Sequence, residues 1–145
     1  MPTILVDTGV WIALCDPSDT AVPPQVAHAL EQRIVQHRVT VPWPIAYETL
    51  RSRFVKKPIA LKNFERELSS PRVVKIDDGT YREEALALSF ESSLRKRRPL
   101  AMVDCMLRLV LEDPNTNVQY LATFNVRDFY DVCARKRIEI WPGGP

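Results

Sequence analysis

The sequence predicts a layered α/β fold with a mostly parallel sheet, and three observations carry that expectation. Short runs rich in β-branched residues, among them Thr3–Val6, Val39–Val41 and Val73–Ile76, alternate with longer stretches of helical periodicity. The first run, Ile4-Leu5-Val6, is apolar at every position, so it needs cover on both faces, which favours a parallel sheet. At 145 residues the chain can bury one layered core but not two independent ones, so a single domain over 1–145 is expected.

Taken in order, Thr3–Val6 reads as a buried strand that meets Asp7-Thr8-Gly9 and then a short helix over Val10–Leu14. Asp16 to Asp19 reads as a turn, and Pro23-Pro24 opens a helix carrying Val26, Leu30 and Ile34, expected to run to about His37. Val39–Val41 is the second strand. Pro42-Trp43-Pro44 leads into a third helix on which Trp43, Tyr47, Leu50 and Phe54 share an apolar face.

A helix over Leu61–Leu68 precedes the strand Val73–Ile76, after which Asp77 or Asp78 caps a long helix through Leu94. The basic run from Arg95 to Arg98, with Pro99, closes that helix. Ala101–Glu112 is then so apolar that it must be largely buried, and Val118–Thr123 and Arg137–Ile140 supply two more strands.

Composition excludes more than it names. The longest apolar stretches, such as Val10–Leu14, fall far short of the roughly 20 residues of a membrane span. The first residues lack a basic leader and a cleavage site, so a cytoplasmic location is the expectation. Cys15, Cys105 and Cys133 are too scattered for a disulfide framework or a zinc pattern and read as buried thiols. A net charge of +2 announces no nucleic-acid binding, and four glycines form no phosphate-cradling loop.

Chemistry concentrates in the acids. In α/β folds of this kind, sites gather at the carboxyl ends of the strands. Asp7 directly follows the first strand, and Asn125 and Asp128 follow the fourth. Asp104 and Arg108 are the only charges in the stretch Ala101–Leu111, and a carboxylate there needs a partner. Each acid also has a structural reading: an ion pair with Arg108 or a place near the helix N-terminus for Asp104, a helix N-cap for Asp7 and for Asp128, and for Glu48 a boundary position roughly 100° off the apolar face. What favours chemistry is that four acids are placed where one cleft can receive them. Carboxylates a few ångströms apart repel by about 4 kcal/mol per close pair, so they need a cation. Oxygen ligands without His or Cys suit Mg²⁺ or Mn²⁺, which can activate water and stabilise an in-line attack on a phosphodiester.

Ile4-Leu-Val-Asp7-Thr8 before an apolar helix, Val41-Pro-Trp-Pro-Ile-Ala-Tyr-Glu48-Thr-Leu-Arg51, the buried-helix Asp104, and Leu121-Ala-Thr123-Phe-Asn125-Val-Arg-Asp128-Phe129 together resemble PIN-domain proteins, especially VapC-type toxins of bacterial toxin–antitoxin pairs. The resemblance covers nearly the whole chain in order. It implies a three-layer α/β/α sandwich with about five strands, and a Mg²⁺- or Mn²⁺-dependent ribonuclease. In that family pattern Asp7 and Asp104 would hold the metal, Glu48 would complete the acidic cluster, and Thr8 and Thr123 would help position substrate. The fourth acidic place falls to Asn125, where many members carry Asp, or to Asp128. Gly9, where the family often has Ser, and Met102, where a small polar residue is common, are lesser departures. The resemblance further implies a homodimer, an RNA substrate and a small antitoxin that inserts a basic side chain among the acids. Arg95–Arg98 and Lys56-Lys57 are candidates for backbone contact with RNA or simply solvated helix ends. His28 and His37 suggest no ligand pair. The competing expectation is a non-catalytic RNA-binding module of the same fold, for which Asn125 is the chief sign.

Overall fold

The computed structural model describes residues 2–95 and 99–142, apart from the side chains of Arg53 and Val55. Its five strands are β1 (Thr3–Val6), β2 (Arg38–Pro42), β3 (Val73–Ile76), β4 (Val118–Ala122) and β5 (Glu139–Trp141). They form one sheet in the order β3-β2-β1-β4-β5, parallel throughout. β1 lies at the centre and is buried along its whole length, as its uninterrupted apolar pattern requires. β3 forms an edge, where Val74 and Lys75 face solvent.

The described residues contain seven α-helices: α1 (Thr8–Cys15), α2 (Pro24–Ile34), α3 (Trp43–Leu50), α4 (Pro58–Leu68), α5 (Arg82–Arg95), α6 (Met102–Glu112) and α7 (Tyr130–Lys136). α1 packs with α2, α3 and α4, while α6 packs with α5 and α7. The chain runs outward from β1 through β2 to β3, then returns past β1 to β4 and β5. With right-handed crossovers, reversing the direction of travel puts the first helix group on one face of the sheet and the second on the other. The result is the three-layer α/β/α arrangement.

The main core joins Ile4, Leu5 and Val6 of β1 with Trp11, Ile45, Phe54, Phe64, Leu107 and Phe129, all essentially inaccessible. Trp11 and Phe54 both meet Phe64 edge-on, with ring centroids 5.4 and 6.0 Å apart, which locks α1 to α4. A smaller cluster of Ala85, Cys105, Met106 and Leu109 seals α5 against α6. The three cysteines are free and buried, and burial pushes the Cys15 thiol up to about 12 and that of Cys133 to about 11.

Several element boundaries differ from the sequence reading. α2 ends at Ile34, and His37 lies in the following turn with Nδ1 2.6 Å from the Arg33 carbonyl. α3 ends at Leu50, so Phe54 sits in a separate 3₁₀ turn, Arg53–Lys56. The face of α3 that packs inward is Ile45, Ala46 and Thr49, whereas Trp43, Tyr47 and Leu50 are exposed. A threonine can occupy the buried side because its hydroxyl donates to the Ile45 carbonyl at 2.7 Å. α5 begins at Arg82 rather than at Asp77 or Asp78, since a turn closed by the Tyr81 N–H and the Asp78 carbonyl comes first. β5 starts two residues later than expected, because Arg137 takes a left-handed conformation (φ 59°) that closes α7. The basic residues 96–98 lie outside the described residues.

Candidate active site

The sheet order reverses at β1 and β4, which makes the carboxyl ends of these neighbours the crevice of the fold. Asp7 leaves β1 there, its N–H held by the Ala122 carbonyl at 2.9 Å, and Thr123 leaves β4 beside it. Asp7 is also the N-cap of α1: Oδ1 accepts the Thr8 N–H at 2.8 Å. Oδ2 accepts the hydroxyl of the fully buried Thr123 at 2.9 Å. The capping role therefore holds without exhausting the carboxylate, which has about four acceptor positions.

Thr8 serves two partners. Its N–H orients Asp7, and its hydroxyl donates to Glu48 Oε1 on α3 at 2.5 Å. Glu48 is exposed, because it stands off the inward face of its helix. On the other side, Thr123 Oγ1 accepts the Asn125 N–H at 3.0 Å, and the Asn125 side-chain amide donates to Asp128. Asn125 thus braces a 3₁₀ turn, Val126–Asp128, in which Asp128 is only 8% exposed. The Asp128 N-cap reading does not hold, since α7 starts at Tyr130 after Phe129.

Burial is the main cause that holds the Asp7 carboxyl above the ordinary carboxylate range; the Thr123 and Thr8 hydrogen bonds oppose it, and the charges of Glu48 and Asp128 add to it. Two acids, one on α3 and one in the turn after β4, therefore bear on Asp7. Asp104, half-buried, lies in the first turn of α6, and its neighbour Val103 lines the same cleft as Thr8 and Glu48. That cleft, about 570 Å³, is also lined by Pro44, Tyr47, Arg51 and Ser52.

Arg108 acts beyond the role anticipated for it. One guanidinium nitrogen donates to the Asp128 carbonyl and to Asp131 Oδ1, both at 2.7 Å, and the other donates to Asp131 Oδ2 at 2.6 Å. The clamp ties α6, which carries Asp104, to the turn that carries Asp128. A lone cation in an apolar helix was the available signal, but Asp131 as its partner is a long-range contact that periodicity does not reveal. Lys57, a candidate RNA contact, is instead committed to the buried Asp16 at 2.7 Å and to Ser18 at 2.8 Å. Gly9 leaves room for a larger residue, since an added Cβ would meet Phe124 only at 3.8 Å.

For a divalent cation the donor chemistry fits: the groups around Asp7 are hard oxygens, and Asp7 is a half-buried carboxylate in the field of two others. Among the described residues no three acidic, histidine or cysteine side chains come close enough together to enclose a metal ion by themselves. The matching mode is the one Mg²⁺ commonly takes, with one or two carboxylates and several waters. No helix among the described residues is long and apolar enough to cross a membrane.

No protein-family model matches the chain, and no curated protein matches it either.

Proposed function

We propose that this protein is a Mg²⁺- or Mn²⁺-dependent endoribonuclease of the PIN-domain kind, the toxin of a toxin–antitoxin pair. The observation that carries the reading is Asp7: a half-buried carboxylate at the fold's crevice, oriented by two hydrogen bonds and pressed by the charges of Glu48 and Asp128. A fold does not keep acids in that relation for stability, since ionised neighbours in a partly dry site destabilise it. The resemblance in sequence order supplies the substrate class, a homodimer and a small basic-armed antitoxin, and the cytoplasm is the proposed place of action.

In this reading Asp7 and Asp104 hold the cation, with Asp128 rather than Asn125 as the fourth acid. The bound cation supplies charge neutralisation for the phosphodiester under attack and lowers the pKa of water. Thr123 and the Thr8 N–H fix the Asp7 carboxylate in one orientation. Glu48, held by the Thr8 hydroxyl, is placed at the cleft surface to accept a proton from the attacking water. Arg108 keeps the Asp128 turn in register with α6.

The test is cleavage of a mixed single-stranded and structured RNA pool with Mg²⁺, with Mn²⁺ and with EDTA, beside Asp7→Asn and Asp104→Asn. Metal-dependent cutting that falls at least a hundredfold in both variants is expected. Cutting that persists in EDTA, or RNA binding without cutting under any cation, would overturn the catalytic reading. The second outcome would favour an RNA-binding module, which Asn125 in an acidic place already suggests.

A further inference from the structure

Three aromatic side chains stand exposed around the crevice. Tyr47 is 62% exposed and Trp43 38%, and the two stack on the outer face of α3 with centroids 6.2 Å apart and planes 28° from parallel. Tyr47 immediately precedes Glu48 and lines the cleft that Glu48 and Thr8 share. On the β4 side, Phe124, 38% exposed, stands between Thr123 and Asn125 and packs over the first turn of α1 at Gly9. Flat rings therefore flank the acids on both sides, each next in sequence to a residue of the crevice.

The cleft also carries Arg51, exposed at the end of α3. A cation, a hydroxyl and an acid among the rings make a poor seat for an apolar helix, which would bury them unpaired. They suit a strand of alternating flat bases and phosphates, because stacking is indifferent to base identity and Arg contacts phosphate.

We infer that Tyr47, backed by Trp43, is a stacking platform for an unpaired nucleobase of single-stranded RNA, with Phe124 receiving a base on the far side of the acids and Arg51 meeting the intervening backbone. The inference rests on the nuclease reading for its choice of RNA, but the platform itself needs no catalysis. Bases held in a duplex cannot reach the rings, so the site selects unpaired strand.

The test measures binding of a fluorescent single-stranded oligoribonucleotide in EDTA, where no metal-dependent cutting occurs, for wild type, Tyr47→Ala, Tyr47→Phe, Phe124→Ala and Leu50→Ala. Stacking losses per base predict a roughly tenfold or greater weakening for Tyr47→Ala and Phe124→Ala. Tyr47→Phe and Leu50→Ala should bind as wild type, and a duplex of the same sequence should bind weakly to all. An oligonucleotide with abasic positions should bind wild type no better than the alanine variants. Equal binding by Tyr47→Ala and wild type would overturn the platform, as would no binding of single strand at all. A change of oligomeric state shared by Tyr47→Ala and Leu50→Ala would overturn it in favour of a protein interface. If Tyr47-dependent binding stands while no cation supports cleavage, the platform survives and the nuclease falls.

Discussion

Replacing Arg108 with methionine should cost far more than neutralising its carboxylate partner, although the ion pair is the more conspicuous contact. The Asp131 side chain is 57% exposed, so its pair with Arg108 is screened and contributes less than about 1 kcal/mol. The bond from Arg108 to the Asp128 carbonyl is different, because a charged donor serves a backbone acceptor of a buried residue. Methionine preserves the stem of a side chain that is only 20% exposed but leaves that carbonyl without this donor, at about 1–3 kcal/mol. Urea unfolding at pH 7 should therefore show Arg108→Met destabilised by about 2–3 kcal/mol with an unchanged slope, and Asp131→Asn by less than about 1 kcal/mol. The pH dependence follows in sign. Hydrogen bonding to Arg108 holds the Asp131 carboxyl down at about 2, so its contribution is present above the ordinary carboxylate range and is lost as pH falls from about 4 toward 2. Asp131→Asn should lack that small acid-side loss. If the two variants are equally destabilised, the ion pair carries the clamp and the carbonyl contact does not.

Lys57→Met should destabilise by about 2 kcal/mol, below the cost of breaking a fully buried pair because Lys57 is 32% exposed, while Asp16→Asn should cost less since the charge it leaves unpaired, the Lys57 ammonium, is within reach of water, whereas Lys57→Met strands a buried carboxylate. Thermal unfolding reads both, and the reverse order would refute the pairing argument. Asp7→Asn should raise the melting temperature at pH 7 without divalent cation. Because the Asp7 carboxyl is held above its ordinary range, folding loses stability as pH rises through that interval, so the gain should vanish below about pH 4. A lower melting temperature for Asp7→Asn at pH 7 would show that its two hydrogen bonds outweigh its burial.

Much of the framework is legible because it rests on local signals. Four of the five strands stand where the short apolar runs predict them and β5 begins two residues further on, and uniform burial of β1 follows from three apolar residues in succession. The faces of α3 are the instructive failure. Trp43, Tyr47 and Leu50 make the more hydrophobic stripe, yet Ile45, Ala46 and Thr49 pack inward. Periodicity sees only side-chain polarity; it does not see that a threonine hydroxyl can satisfy itself on its own helix, nor that a surface can keep aromatics outside. Boundaries slipped where backbone geometry decides, as at Arg137 with its positive φ. The clamp between Arg108 and Asp131 joins residues far apart in sequence, and nothing local marks it.

The acids show why a site can be located from sequence more readily than its internal arrangement. The position of Asp7 follows from strand order alone, since a residue leaving the central strand of a doubly wound sheet must emerge at the crevice. Its partners follow from register: Val6 pairs with Ala122, so the next residues, Asp7 and Thr123, emerge side by side and the hydroxyl reaches the carboxylate. Asn125 then inherits a role that charge would obstruct. Its amide donates to Asp128, which an aspartate at that position could do only in its protonated form. The asparagine thus braces the 3₁₀ turn that holds Asp128, a buried residue whose field reaches Asp7. The turn that presents Asp128 to the crevice is the same one Arg108 holds to α6.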